Sequence, residues 1–592
     1  MLCSFFKDSK TKLIEGERNS LELQKLLQSP YLRSIFELAK KIEGLPRQSS
    51  LHPAGIIIND EDLSSSLPLN KEDDKIVCQY EAIYLEELGY LKMDILGLRT
   101  LNIIDKIQKR IQEKAPSFSL DLISLEDKKT FSILNKGLTK GIFQIESEGM
   151  TSSIMEVRID RFENISDMIA LYRPGPIKQI PLFAQRKNYN AKISYIHDSL
   201  KDILSSTYGI IIYQEQIMQI CQKCASFTFL EADNFRRAIS KKNENLLFQM
   251  KEKFIQGCLK NQISKNDALN IYSLIYNFAS YGFNKSHSVA YSRIVYEMAY
   301  LKANYPLQFY ATLLDFEVLD DQTYYIYKKE LKEFSLSVSL PSINKSTLSF
   351  EGEGSSLILP LSKIKGLSLN SSLSLIHERG NGPFTSMEDL MYRMYKYEIP
   401  MEHYVALINA GALDSFNHSR TSLLKALPSF MKSAEYALAC GGDLLFNESQ
   451  RDFMKVVIDE IEDDEEEVNK RQEETLGFKL GSSKLSKYSV EISLKQCLPI
   501  MEAKKKNSIV RIAFILSKVN ITHTKKDSLR MAYFTCYDDS SSIRGVMFPE
   551  VYLRYGHYLK ENECVFAEGY FKKDNKNTLS FIVNALEPIG GK

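Results

Sequence analysis

A multidomain α+β protein is the fold class this sequence predicts, and three observations predict it. The chain has 592 residues, more than a single hydrophobic core holds. Its long middle carries apolar residues at helical spacing, while its last part alternates apolar and polar residues as short strands do. Hydrophobic residues make up 44% and charged residues 26%, ordinary proportions for a folded protein.

The elements follow in order. Residues 1–46 read as helices, with Leu21, Leu23, Leu26 and Leu27, then Ile35, Leu38 and Ala39, at helical intervals. Gly55-Ile-Ile-Ile-Asn59 reads as a strand, followed by a polar loop over 61–66. A second apolar stretch, Gly89-Tyr-Leu-Lys-Met-Asp-Ile-Leu96, precedes an amphipathic helix over 98–113. Two β segments and a helix describe part of a mixed sheet. From 120 to 330 the pattern is mainly helical, interrupted by Arg173-Pro-Gly-Pro176 and by Tyr281-Gly-Phe-Asn284. Short helices with glycines at their junctions fill 355–425, and 447–475 turns acidic, a solvated helix or a flexible connection. Strand-like segments begin at Val510, Met531, Ile543 and Cys564, with polar turns between them. About five short strands of this size suit a small closed barrel of the OB type.

Composition excludes several classes. No apolar run reaches the roughly 20 residues of a membrane-spanning helix, and MLCSFFKDSKTKL has too short an apolar stretch for a signal peptide. The expected setting is therefore cytoplasmic, with no membrane partner. Of nine cysteines only Cys221 and Cys224 are closely spaced. A second pair is missing and the segment reads as a helix, so buried reduced thiols are expected rather than zinc, a redox motif or disulfides. Net charge is +1, which hides local asymmetry: Arg236, Arg237, Lys241 and Lys242 cluster, and 462–467 is acidic. No phosphate-loop motif is present, and none of the eight histidines stands at a recognisable spacing from a nucleophile.

Several residues have a chemical reading beside a structural one. Asp94 ends an apolar strand, with Lys92 on the same face. A carboxylate there can hold a divalent metal, or can be a turn or helix-cap aspartate. Arg173 sits on a proline-glycine-proline platform suited to a phosphate, or on a surface loop. Arg236, Arg237, Lys241 and Lys242 present a basic helical face for a triphosphate or DNA strand, or a solvated surface. Tyr281-Gly-Phe-Asn-Lys-Ser-His287 interleaves aromatic and basic groups that can stack a base and hold a phosphate, whereas His287 by itself reads as structural. In the last part Lys525 and Lys526 lie at a turn. Phe534, Tyr537 and Phe548 lie on strands, facing single-stranded DNA or filling the barrel.

A set of longer motifs stands in a fixed order: Glu43-Gly-Leu-Pro-Arg47, His52-Pro-Ala-Gly55, Gln79-Tyr80, Gly89-Tyr-Leu-Lys-Met-Asp-Ile-Leu-Gly-Leu-Arg99 and Gly141-Ile-Phe-Gln-Ile-Glu-Ser147. Tyr172-Arg-Pro-Gly-Pro176, Tyr213-Gln-Glu-Gln216, Gly282-Phe-Asn-Lys-Ser-His287, Tyr300-Leu-Lys-Ala-Asn-Tyr-Pro306 and Ala410-Gly-Ala-Leu-Asp414 continue it. Together they resemble the alpha subunits of bacterial DNA polymerase III, C-family polymerases, over nearly the whole chain.

The resemblance implies a DNA-directed DNA polymerase of chromosomal replication that adds dNTPs to a primer 3′-hydroxyl by two-metal catalysis with Mg2+. It assigns 1–46 to thumb helices, 47–100 to a partial palm and 101–345 to helical fingers. Residues 346–446 become a clamp-binding region with tandem helix-hairpin-helix elements, 447–506 an acidic linker with connecting helices, and 507–592 the OB domain. Asp94 matches the third metal-binding palm aspartate and Lys92 the neighbouring active-site lysine. Arg47, His52, Arg173, Arg236, Arg237, Lys241, Lys242, Asn284, Lys285, His287, Lys525 and Lys526 become nucleotide- or DNA-binding residues. Leu444, Leu445 and Phe446 end a sliding-clamp (beta subunit) peptide whose leading glutamine is replaced by Gly442. At the hairpin Lys363-Ile-Lys-Gly-Leu-Ser368, Ser368 replaces a glycine. The implied partners are primer-template DNA, single-stranded template, dNTPs, the clamp and other replisome subunits.

The family's Pro-Asp-x-Asp-x-Asp motif is found nowhere in these residues and its PHP domain has no counterpart. A truncated chain is therefore expected, one that binds DNA but does not extend a primer alone. The alternative is a non-catalytic DNA- and clamp-binding protein of the same descent. An unrelated OB protein, such as a tRNA-binding enzyme, is a third reading that the ordered motifs oppose.

Overall fold

The computed structural model describes residues 12–45, 51–52, 54–72, 74–95, 97–189, 191, 193–240, 244–279, 282–439, 456–481, 484–524, 528–573 and 579–590. The chain divides into two compact units, Met1–Arg99 and Thr100–Lys592.

The first unit opens with helices α1 (Leu13–Asn19), α2 (Leu21–Leu26) and α3 (Pro30–Ile42). Ser20 caps α2 by accepting the Leu23 N–H, and Pro30 starts α3 where a missing N–H costs nothing. The helices meet on Leu23, Leu27 and Phe36, with Leu13 against them. Strands β1 (Gly55–Ile58), β2 (Leu69–Glu72) and β3 (Lys75–Cys78), short helix α4 (Ala82–Glu87) and strand β4 (Leu91–Asp94) follow. β1 pairs antiparallel with β4, while β2 and β3 form a separate hairpin. The sequence reading placed β1 and β4 but missed β2–β3. Leu-Asn-Lys-Glu and Lys-Ile-Val-Cys have too little apolar alternation to announce a strand.

The second unit is mostly helical up to residue 439. It holds α5 (Arg99–Gln112), α6 (Lys128–Asn135), α7 (Glu148–Val157), α8 (Phe162–Leu171), α9 (Ile180–Asn188), α10 (Lys201–Leu204), α11 (Gln214–Ala225) and α12 (Phe229–Ser240). Next come α13 (Glu244–Lys260), α14 (Lys265–Ala279), α15 (Lys285–Asn304), α16 (Pro306–Phe316) and α17 (Asp321–Glu333). A small sheet, β5 (Ser337–Ser339), β6 (Glu351–Glu353) and β7 (Ser356–Ile358), precedes α18 (Leu369–Arg379), α19 (Met387–Met394), α20 (Met401–Ala410) and α21 (Arg420–Ala439). One apolar core runs from Ile103 to Phe478 and joins these parts. α15 crosses it with Val295, Tyr296, Met298 and Leu301 buried. A second core gathers α11 to α14 around Phe235, Phe254 and Ile271. There Cys221, Cys224 and Cys258 are buried free thiols, the outcome expected for the Cys-x-x-Cys pair.

Residues 465–476 form α22 (Glu465–Leu476), so the acidic run is helical in that part. After α23 (Ser489–Leu494) and α24 (Ile500–Ala503) come β8 (Val510–His523), β9 (Arg530–Tyr537), β10 (Ser542–Met547), α25 (Pro549–Tyr555), β11 (Cys564–Lys573) and β12 (Leu579–Pro588). The strands close a barrel in the order β10-β12-β11-β8-β9, with β10 and β12 parallel and the other pairs antiparallel. Alternation sends Phe514, Phe534, Phe581 and Val583 inward to fill it. Phe534 is thus an interior residue, whereas Phe548 is 47% exposed. Among the described residues no helix is long and apolar enough to cross a membrane.

Candidate functional site

In the first unit the β1–β4 register sets Gly55 opposite Asp94 and Ile57 opposite Lys92. Because side chains alternate along a strand, Lys92 and Asp94 share one face, and the Lys92 Nζ lies 2.9 Å from Asp94 Oδ1. That bond from Lys92 holds the Asp94 carboxyl below the usual carboxylate range, and the nearby His52 acts in the same direction. His52 Nδ1 accepts the N–H groups of Gly55 (2.6 Å) and Ala54 (3.2 Å). A Cβ at position 55 would fall 2.6 Å from Lys92 Cε and 2.8 Å from His52 Nδ1. Only glycine lets the lysine and the imidazole approach the strand this closely. Asp94 is therefore a strand-end carboxylate paired to a lysine, with its side chain 51% exposed.

Magnesium needs near-octahedral oxygen ligands. One carboxylate bound to an ammonium does not meet that need by itself. Among the described residues no group of three or more His, Cys, Asp or Glu side chains suits a metal ion.

In the second unit the sequence-predicted residues converge on the N-terminus of α15. α8 runs into Tyr172-Arg173-Pro174-Gly175-Pro176, where Gly175 takes φ +103° to turn the chain. A proline-glycine-proline platform suits an arginine aimed outward at a phosphate. Instead the side chain folds back: its Nε donates to the Ala170 carbonyl at 3.0 Å, and the guanidinium lies 4.3 Å from the Phe283 ring centroid. Partial burial lowers its pKa from the ordinary arginine value. Phe283 is fixed by a two-residue bridge, its N–H donating to the Ile212 carbonyl (3.1 Å) and its carbonyl accepting the Gln214 N–H (2.9 Å). Asn284 then caps α15 by accepting the His287 N–H at 2.9 Å. The Lys285 N–H donates to both Glu215 carboxylate oxygens at 3.1 Å, and its Nζ lies 5.7 Å from the Tyr213 ring centroid. His287 is exposed and stands between the Phe283 and Tyr291 rings, 5.4 and 4.6 Å away by centroids.

A buried polar network underlies this cluster. Tyr213 Oη donates to Asp167 Oδ1 at 2.9 Å and touches Ser166 Oγ at 2.9 Å. Ser166 Oγ donates to Ser288 Oγ at 3.0 Å, and Ser288 Oγ returns a bond to the Ser166 carbonyl at 2.7 Å. Burial pushes the Asp167 carboxyl up to about 7. These bonds tie Tyr213, just before α11, to α8 and to the first turn of α15.

Arg236 corrects an expectation. Rather than facing outward for a phosphate, its Nε and Nη2 donate to Asp233 Oδ1 (2.9 and 2.7 Å) and its Nη1 to Gln214 Oε1 (3.1 Å). Gln214 in turn donates to the Gly282 carbonyl at 3.1 Å, so Arg236 braces the Phe283 loop. Arg237 also pairs with Asp233, at 2.8 Å, but its side chain remains 64% exposed. Arg47, Lys241, Lys242, Leu444, Leu445, Phe446, Lys525 and Lys526 lie outside the described residues. In the hairpin before α18, Lys363 Nζ donates to the Asp315 and Glu317 carbonyls (3.2 and 2.7 Å), and Ser368 caps α18 through the Ser371 N–H. The hairpin's first lysine thus serves the end of α16.

On the barrel the outer face carries residues that the sequence reading passed over. Register puts Tyr533, Val546, Ile582 and Tyr570 in one row across β9, β10, β12 and β11, and Thr535, Arg544, Ser580 and Lys572 in the next. The Arg544 guanidinium lies 4.3 Å from the Tyr533 ring centroid. A π-face, a guanidinium and a lysine on one surface suit unpaired nucleic-acid bases and their phosphates. The signal was present: once Phe534 points inward, strand alternation sends Tyr533 outward.

Comparisons with known proteins meet this architecture region by region. Family models match "Bacterial DNA polymerase III alpha NTPase domain" at residues 3–97 and "Bacterial DNA polymerase III alpha subunit finger domain" at 100–262. They match "Helix-hairpin-helix motif" at 335–423 and "OB-fold nucleic acid binding domain" at 516–589. The DNA polymerase III subunit alpha of Bacillus subtilis (strain 168) is 36% identical over 581 residues, 97% of this chain and 52% of the relative. The chain belongs to the bacterial DNA polymerase III alpha subunit family. Alpha-subunit relatives from Halalkalibacterium halodurans and Staphylococcus aureus (strain COL) are each 34% identical, over 98% and 94% of the chain. These alignments cover 52% and 51% of those relatives, so the chain spans about half the length of the curated relatives it matches. Within this chain, Arg173, Asn284, Lys285 and His287 are brought together around Phe283, and His52, Lys92 and Asp94 across one ribbon.

Proposed function

We propose that this chain works in template-directed DNA synthesis as part of a replicative polymerase alpha subunit, with dNTPs, primer-template DNA and single-stranded template as its ligands. The observation that carries the reading is the assembly at the start of α15, which joins Arg173 and Tyr213, within the segment related to the polymerase fingers, to residues 283–287. There Arg173 is stacked on Phe283, the Lys285 backbone N–H is held by Glu215 while its ammonium lies beside the Tyr213 ring, and His287 is exposed beside two rings. Rings and cations fixed on one rigid surface favour a nucleotide, the rings its base and the cations its phosphates. The buried Asp167–Tyr213–Ser166–Ser288 network holds that surface still, which preserves binding energy otherwise spent on ordering it. The Tyr533–Arg544 face of the barrel takes unpaired template. Asp94 and Lys92 serve at the primer end, where Asp94 would hold one position of a Mg2+ that, given further carboxylates, would stabilise developing charge. Leu444 to Phe446 engage the sliding clamp, other replisome subunits join the assembly, and the setting is the cytoplasm.

The single carboxylate at Asp94 favours a second reading for the chain on its own, in which it binds DNA without extending a primer. Primer extension with Mg2+ and four dNTPs, run beside a single-strand binding titration, separates the readings. The purified chain is expected to bind single-stranded DNA and to give no extension; robust extension sinks the second reading. Tyr533→Ala is expected to weaken single-strand binding by about 1–3 kcal/mol. Arg544→Ala should lower the slope of log affinity against log salt by about 0.7. An unchanged affinity in both variants removes the barrel face from the site.

A further inference from the structure

Helix α15 carries the Asn284–His287 cluster at its start and Lys302 in its last turn. Lys302 is fully buried. Its Nζ donates to Glu330 Oε2 of α17 at 2.5 Å and to the Lys140 carbonyl at 2.7 Å. The second carboxylate oxygen, Glu330 Oε1, accepts the Lys140 N–H at 3.1 Å. One ion pair thus grips both backbone groups of a single residue. From Lys140 the chain turns through Ile142 and Ile145, both buried, and the Lys140 ammonium closes the turn on the Glu146 carbonyl at 2.9 Å. Inside the turn Gln144 is exposed and takes φ +74°, a conformation uncommon for any residue but glycine. Its neighbour Phe143 lies 6.2 Å by ring centroid from Tyr291 of α15. Phe143 therefore ends a row that runs through Tyr291, His287 and Phe283 to the Arg173 guanidinium.

We propose that Lys302 and Glu330 are a positioning pair for this surface: by holding Lys140 they set the 141–146 turn so that Phe143 serves as the outermost ring against a bound nucleobase. The nucleobase rests on the polymerase reading above; the positioning does not. Burying two charges is a poor way to gain stability, because apolar side chains of like volume often serve as well or better. What the pair supplies instead is a strong donor and a strong acceptor at the spacing of one residue's C=O and N–H. The φ of Gln144 points the same way, since an uncommon backbone conformation persists only where its surroundings over-determine it. A ring contributes most to base binding when it is already held in place, and the pair does that from beneath.

The chain holds no tryptophan, so a Phe143→Trp variant of the full chain carries one indole, at the end of the row. In that background Lys302→Met with Glu330→Leu replaces the pair by apolar groups, and the melting transition should hold or rise. Acrylamide quenching of the indole should nevertheless increase. Amide exchange over 140–147 should quicken when the same two substitutions are made with Phe143 in place, a reading that does not depend on the indole. Titration with dATP and Mg2+ should quench the indole of the Phe143→Trp chain, and loss of the pair should weaken dATP about tenfold, the share of one stacking ring. Lys302→Met with Glu330→Gln restores an acceptor for the Lys140 N–H and should recover part of that affinity, a rescue that packing alone does not give. Indole quenching and amide exchange unaltered by loss of the pair overturn the proposal. So does a freed indole with dATP affinity unchanged, since Phe143 then lies outside the ligand surface. A freed indole in a chain that binds no dATP upholds the positioning pair and removes the nucleotide reading of the surface.

Discussion

Helices α3 and α17 are both 13 residues long, one in each unit. α17 buries Tyr324, Tyr327, Glu330 and Leu331. α3 buries Phe36 alone and leaves Tyr31, Leu38 and Ile42 at 73%, 62% and 60% exposure. Each large apolar side chain removed from water contributes roughly 1.5–3 kcal/mol, so the two helices draw very different support from their surroundings. The contrast extends through the units. The second has continuous cores reaching from Ile103 to the barrel, whereas the first has the small Leu23–Leu27–Phe36 cluster and an apolar ribbon face in water. The second unit carries the means of its own stability, while the first buries little apolar surface of its own.

The buried polar groups of the second unit give the sharpest way to break this contrast. Lys302 is fully buried, where burial pulls its pKa down to about 8. Its Nζ is held by Glu330 at 2.5 Å and by the Lys140 carbonyl at 2.7 Å, with Tyr310 Oη also donating to Glu330. Glu330→Ala leaves that ammonium unpaired and is expected to cost about 3–5 kcal/mol. The measurement is the urea midpoint of the second unit's transition; a loss below about 1 kcal/mol would show that this core tolerates a bare charge.

Next in size is a pH effect. An unfolded aspartate titrates near 4, and burial raises Asp167 to about 7. The folded state therefore keeps the proton longer than the unfolded one. Its contribution is full below about pH 4, declines between about pH 4 and 7, and is lost above, a total of roughly 4 kcal/mol. Asp167→Asn should flatten this part of the stability profile, seen in denaturation series from pH 4.5 to 8. An unaltered slope would mean that another group carries it.

The smallest effect is expected in the first unit. Glu17 bridges Lys40 at 2.6 Å and Arg33 at 2.8 Å between α1 and α3, half-buried but open to water at its Arg33 side. Water and salt screen such pairs, so Glu17→Gln should leave exchange protection of α1–α3 unchanged within error. A large loss of protection would make this charge cluster, rather than the Leu23–Leu27–Phe36 contact, the main support of α1–α3.

The sequence by itself determined the helix-rich middle, the five-stranded barrel and the burial of Cys221 and Cys224. Helical and strand periods are local, repeated signals, as at Val510–His523 and along α15. It also placed Asp94 and Lys92 on one strand face, because alternation requires nothing beyond the neighbouring residues. Tertiary structure alone decided the partners. Arg236 is equally basic whether it faces a phosphate or braces Gln214, and only the meeting of α12 with the start of α11 settles which. Arg173 stacks on a ring 110 positions away in the chain, and Asp167 is buried by helices that are distant in sequence. Contacts of that kind depend on where the chain returns to itself, and periodicity carries no record of that return.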